Sequence, residues 1–203
     1  MSPSAVAVSA PGKVLFAGGF LVLDRKHTGL VFGLNARIHV HIEQWNPTLL
    51  DSTGEDFILV QSPQFLDARW LYQITQTSAE YGGVQVEQVQ SEVGFTTSAN
   101  KFVETTLRYA LTYISQTTKE LGGNVKITIL ADDDYYSQST QIVQRSGTAF
   151  SNFGVKLSEA HKTGLGSSAA LVTSLTGALL AFYSSKPGVD ASLPHHKIGR
   201  AHV

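Results

Sequence analysis

The run Lys162-Thr163-Gly164-Leu165-Gly166-Ser167-Ser168-Ala169-Ala170-Leu171, followed by an apolar stretch to Tyr183, decides how the chain is read. Two glycines one residue apart allow a tight turn that side chains would obstruct. Leu171, Val172, Leu175, Leu179 and Phe182 then recur at steps of three and four, the spacing of a helix with an apolar face. Ser167 and Ser168 fall where that helix begins, a position that favours hydroxyl caps. The start of a helix carries unpaired N–H groups and the positive end of the dipole, so it attracts anions, phosphate above all. Hydroxyl oxygens beside those amides suit Mg²⁺. Two readings follow: a capped helix after a glycine turn, or a phosphate cradle.

Related motifs fit less well. Gly164-x-Gly166-x-x-Ala169 matches a dinucleotide fingerprint, but Lys156 to His161 makes a poor preceding strand. No Lys-Ser/Thr pair follows the last glycine, as a P-loop requires. Gly166-Ser167-Ser168-Ala169-Ala170 is one residue short of a nucleophile elbow.

Working outward, the N-terminal side offers a second candidate, Ser9-Ala10-Pro11-Gly12-Lys13-Val14-Leu15-Phe16-Ala17-Gly18-Gly19-Phe20-Leu21-Val22-Leu23-Asp24. Pro-Gly makes a turn. Lys13, between that turn and an apolar run, either points its ammonium at a phosphate while its stem packs, or is a solvated strand-edge lysine. Gly18-Gly19 breaks the run at a bulge or turn.

The pair Ala10-Pro11-Gly12-Lys13 and Lys162 to Ala170 resembles the first two motifs of the galactokinase–homoserine kinase–mevalonate kinase–phosphomevalonate kinase superfamily. Within it, Gly18 to Leu23 is similar to the phosphomevalonate kinase variant, where other branches carry Gly-Glu-His. The resemblance runs from about Ser9 to Tyr183; His161 departs from a proline common in the family.

The resemblance implies an α+β fold, the superfamily's N-terminal domain (ribosomal protein S5 domain 2-like), with a mixed or antiparallel sheet, helices on one side and the C-terminal domain missing. It assigns 1–186 to that ATP-binding domain and 187–203 to an aberrant or truncated tail. It implies ATP-dependent phosphorylation of 5-phosphomevalonate, with ATP and Mg²⁺ as cofactors. The triphosphate would be held by Lys162, Gly164, Leu165, Gly166, Ser167, Ser168 and Ala169. Ser168, then Ser167, would contact Mg²⁺, and Lys13 with Ser168 would serve the transfer. Lys13, Ser137 and Gln138 would meet the acceptor, the last two from an Asp-x-x-Tyr-x-Ser-Gln stretch. Another kinase of the superfamily, acting on an alcohol such as mevalonate, and a non-catalytic nucleotide-binding remnant are the alternatives.

The remaining stretches organise around these motifs. Val6 to Val8 reads as a strand; Val31 to Ile42 as strand, turn near Gly33 to Asn35, then strand. His39 and His41 share a polar face, as a metal pair or as solvated residues. Phe57 to Val60, Trp70 to Ile74 and Val125 to Leu130 read as strands. Thr75 to Thr97 is expected to be a variable loop with one short strand. Ser98 or Asn100 caps a helix through about Gln116, with Val103, Leu107, Ala110, Leu111 and Ile114 buried. Asp132-Asp133-Asp134 reads as a Mg²⁺ site or a solvated turn. In the polar stretch Thr140 to Ser158, Arg145 is placed near an acceptor phosphate on charge alone.

Composition bounds the answer. The chain has 203 residues, 42% hydrophobic and 15% charged, as in globular proteins. A net charge of −1 without a basic cluster argues against nucleic acid as partner. Absent cysteines exclude disulfides and thiol catalysis and fit a reducing, cytoplasmic setting. No signal sequence is visible and no apolar run approaches a membrane span, so no membrane partner is expected. The tail Lys197-Ile198-Gly199-Arg200-Ala201-His202-Val203 reads as translated sequencing adapter. The family's aspartate base is not found, so the 203 residues alone are expected to be inactive.

Overall fold

The computed structural model describes residues 5–46, 56–77, 83–89, 98–117, 121–137 and 150–184. Six strands, β1 (Ala5–Ala17), β2 (Leu30–Gln44), β3 (Asp56–Gln61), β4 (Arg69–Gln76), β5 (Val84–Gln88) and β6 (Val125–Ala131), form one sheet in the order β1-β2-β6-β3-β4-β5. All neighbours are antiparallel except β3 and β6, which run parallel, so the sheet is mixed. Helices α1 (Lys101–Ser115) and α2 (Ser167–Ser184) pack on each other and share one core with the sheet, α2 against β1 and β2, α1 against β5.

The elements follow from their residues. In β6, Val125, Ile127, Ile129 and Ala131 are buried and the residues between them half-exposed, the alternation of a one-sided strand. In β3, all of Phe57–Val60 is buried, because Ile58 and Val60 face the helices while Phe57 and Leu59 meet Leu71 on the opposite face. Each such large side chain stabilises the fold by about 1.5–3 kcal/mol. Helix α1 starts at Asn100, whose side chain accepts from Val103 N at 3.3 Å. Its buried stripe is the expected one, joined by Thr106.

Three expectations are corrected. The turn near Gly33 to Asn35 is absent: β2 is a single 15-residue strand, and the irregularity is a register shift, Pro11 opposite Arg37 but Lys13 opposite Gly33. Pairing with β1 along its whole length overrides the local turn signal. The first strand extends through Lys13 to Ala17, not only over Val6–Val8, until Gly18 and Gly19 take positive φ of 113° and 44°. Helix α2, at 18 residues and mean hydropathy 1.3, is long and apolar enough to cross a membrane by length and composition. Its Ala170, Ser174, Leu175, Ala178, Leu179, Phe182 and Tyr183 are instead buried against sheet and α1, as in a core helix. The short strand expected within 75–97 is β5. The tail 187–203 lies outside the described residues.

Candidate phosphate-binding site

The two motifs, about 150 residues apart in sequence, meet. Lys13 N donates to Leu165 O at 3.1 Å, stitching β1 to the glycine loop. Gly164 and Gly166 have φ of +80° and +74°, left-handed backbone that favours glycine. A Cβ on Gly166 would stand 2.9 Å from Lys13 O and 3.4 Å from Lys13 Cγ. A Cβ on Gly12 would stand 2.5 Å from both Leu165 O and Tyr135 Oη. Glycine at 12 and 166 is therefore what lets loop and strand touch. The Lys13 stem runs beside the helix start, and the side chain is exposed.

Ser167 and Ser168 do not cap α2. They are its first two residues, and Gly166 precedes it, its carbonyl accepting from Ala170 N at 3.3 Å. The consequence favours an anion: the N–H groups of a helix's first turn have no intrahelical acceptor. Ser168 and Ala169 are exposed, Ser167 half-buried.

The segment entering the loop is pinned to the acidic turn. Tyr136 and Lys162 form an isolated antiparallel bridge, Ser137 N donates to His161 O at 2.9 Å, and Thr163 N donates to Tyr135 O at 3.1 Å. Thr163 Oγ1 donates to Asp134 O at 2.7 Å. Ser137 thus sits exposed beside the segment that enters the loop. Gln138 and Arg145 lie outside the described residues. The backbone at His161 is held by hydrogen bonds that do not need a proline.

The acid triplet forms no common face. Asp132 Oδ2 accepts from Arg37 N at 2.8 Å and Oδ1 lies 3.1 Å from His39 Nε2. Asp133 accepts from Ser151 N and Oγ at 3.1 and 2.6 Å. Both are tied down as structural carboxylates. His39 is paired with Asp132, and among the described residues no cluster of three metal-ligating side chains occurs.

A cavity of about 110 Å³ opens beside the helix start, lined by Phe65, Trp70, Asn100, Phe102, Tyr136, Lys162, Ser167 and Ser168 among others. Burial pushes the Tyr136 phenol up to about 12, with Tyr135 adding to it, so the hydroxyl is neutral at physiological pH. These aromatics come from separate elements, and no spacing in the sequence brings them together. A larger apolar groove, about 530 Å³, runs between α1 and α2, lined by Phe102, Tyr109, Tyr113 and Leu180. It contains no residue of the glycine loop, so the smaller cavity is the one joined to the candidate chemistry.

Comparison with known proteins gives the class first: its sequence relatives are kinases. They are, in particular, phosphomevalonate kinases, to part of whose length this chain is similar. It is 52% identical over 182 residues to the enzyme of Gibberella zeae, covering 88% of this chain and 40% of the relative. With that of Aspergillus fumigatus it shares 44% over 214 residues, covering 92% and 43%. The peroxisomal phosphomevalonate kinase of Arabidopsis thaliana is 31% identical over 206 residues, covering 87% and 39%. The chain thus spans about two fifths of the length of these relatives. No protein-family model matches. Among solved structures, a Lin0012 protein from Listeria innocua aligns at TM-score 0.50 and 18% identity, over 87% of this chain and 36% of that one, a likeness of fold. A Streptococcus pneumoniae phosphomevalonate kinase in complex with phosphomevalonate and AMPPNP aligns at 0.48 and 16%, over 88% and 37%.

Proposed function

We propose that this chain is the nucleotide-binding part of a kinase that transfers the γ-phosphoryl group of ATP to 5-phosphomevalonate, giving the diphosphate. The observation that carries it is the contact between Lys13 and the Leu165–Gly166 turn, because it sets an ammonium stem beside a helix start. Phosphoryl transfer needs chiefly positioning and charge stabilisation, since negative charge spreads over the phosphoryl oxygens. The amides of Leu165, Gly166, Ser167, Ser168 and Ala169, with the flexibility of Gly164, would hold the triphosphate, and Lys162 would screen it. Lys13 would neutralise charge between donor and acceptor.

The donor set suits Mg²⁺, a hard cation that takes oxygen ligands and keeps several waters. Ser168, exposed at the helix start, would contact it from the protein, with Ser167 second; bound there, it would neutralise charge on the triphosphate. The aromatic cavity beside the two serines would take the base. Ser137 and Gln138 would face the acceptor.

In this reading 1–186 form the N-terminal domain of the superfamily (ribosomal protein S5 domain 2-like), 187–203 stand outside it, and a further domain completes the enzyme. The exposed Phe16, Phe20 and Leu23 at the end of the β1–β2 ribbon support that, as large apolar groups wanting cover. Turnover would require the remainder of the relatives' length, and the cytosol is the compartment proposed.

Titration calorimetry of this chain with Mg²⁺ and AMPPNP tests the reading. The folded chain should bind, and Lys13→Ala and Ser168→Ala should each weaken binding about tenfold, the value of roughly one charge-assisted contact. A folded chain that gives no heat would refute it.

A further inference from the structure

The geometry points to Asp132 as a positioning residue, a brace that ties strand β2 to the glycine loop; the inference rests on the nucleotide-cradle reading for its purpose. Asp132 is held by β2 at three points: its two carboxylate oxygens meet Arg37 N and His39 Nε2, and its own N donates to Arg37 O at 3.0 Å. The Arg37 guanidinium is in turn fixed to β1, donating to Ser9 Oγ at 2.8 Å and Ser9 O at 2.9 Å. From this anchor the chain makes one 3-10 turn, Asp133–Tyr135, closed by Tyr135 N donating to Asp132 O at 3.1 Å.

Tyr135 reaches both ways. Its hydroxyl donates to Ala36 O at 3.0 Å, under Gly12, while its carbonyl accepts from Thr163 N, the residue before Gly164. The route β2–Asp132–Tyr135–Thr163 is continuous hydrogen bonding and ends at the residue bonded to Gly164. It fixes one side of the loop, as Lys13 fixes the other. A loop with two left-handed glycines has little order of its own, so it keeps one conformation only where such anchors hold it.

The test compares Asp132→Ala, Asp132→Asn and a remote control, Val84→Ala, at a buried site on the opposite edge of the sheet. Hydrogen exchange is read over 162–169 and over α1, and Mg²⁺–AMPPNP affinity by calorimetry. With Asp132→Ala, loop exchange should rise about tenfold with α1 unchanged, and affinity should fall about tenfold. Asn, which accepts from Arg37 N and donates to His39, should restore both. Val84→Ala should lower the melting temperature and change neither. Loop exchange in Asp132→Ala no greater than in Val84→Ala would overturn the brace. If the wild-type chain binds no AMPPNP, the nucleotide reading fails and the exchange comparison alone decides the brace. Should Asp132→Ala not fold, His39→Gln, which disturbs one of the contacts, takes its place under the same criterion.

Discussion

Gly12→Ala is the sharpest perturbation of the corner where the two motifs meet. The added Cβ would lie 2.5 Å from Leu165 O and from Tyr135 Oη, whereas non-bonded heavy atoms settle at about 3.5 Å. Loop or tyrosine must therefore move by about 1 Å. Neither moves freely: Leu165 O accepts from Lys13 N, and Tyr135 Oη is bonded to Ala36 O. Overpacking of this kind costs about 1–3 kcal/mol, and loss of one hydrogen bond about 1 kcal/mol more. A total of about 2–4 kcal/mol lowers the melting temperature of a chain this long by roughly 4–16 °C. Gly33→Ala is the matched control, since nothing lies within 4 Å of its Cβ and its φ is not left-handed. It should melt within about 2 °C of wild type. Differential scanning calorimetry of the three proteins decides the matter. If the two variants melt together, strand and loop are not in contact and the corner does not exist as described.

Among the described residues Tyr72 Oη is buried with no hydrogen-bond partner, so Tyr72→Phe should leave urea stability unchanged or raise it by up to about 1 kcal/mol; a loss above that refutes the assignment. Gln64 donates to Ala131 O and Ser151 O and accepts from Ala131 N at 2.7 Å, so Gln64→Leu should cost about 3 kcal/mol in the same assay. Burial raises the phenols of Tyr72, Tyr136 and Tyr183, Tyr136 to about 12. A raised folded pKa means stability complete below the unfolded value of about 10 and lost as pH climbs through the folded one. Urea midpoints should therefore hold to about pH 9 and fall steeply by pH 11.5, and a flat profile would count against tyrosine burial.

Elements whose signal is local were legible. The Asn100 cap and the stripe from Val103 to Ile114 specify α1 because cap, spacing and burial all lie within one stretch. Strand β6 reads from its alternation for the same reason. What failed depended on partners far along the chain. Gly33 to Asn35 looks like a turn in isolation, yet β1 supplies a ladder on both sides and the strand continues through a bulge. The parallel β3–β6 pair, which makes the sheet mixed, leaves no trace in either strand, since the apolar run of β3 and the alternation of β6 would suit antiparallel neighbours equally.

The site divides along the same line. Glycine at left-handed φ is legible at Gly164 and Gly166, whereas Lys13 has two readings in sequence and lies within strand β1. The capping role that the sequence suggests for Ser167 and Ser168 is not theirs. Their hydroxyls fall within the helix while Gly166 takes the boundary, which leaves the first amides to an external acceptor. Tyr135 and Thr163 carry no signal in sequence, because their work is done by a backbone carbonyl, a backbone amide and hydroxyls aimed at other carbonyls. The glycine loop and the helix after it have a signal in their own stretch of sequence, and the contacts that hold the loop in place do not. Tyr135→Phe and Thr163→Val, which remove only the hydroxyls and keep the backbone bond, should therefore raise hydrogen exchange over 162–169 less than Asp132→Ala does.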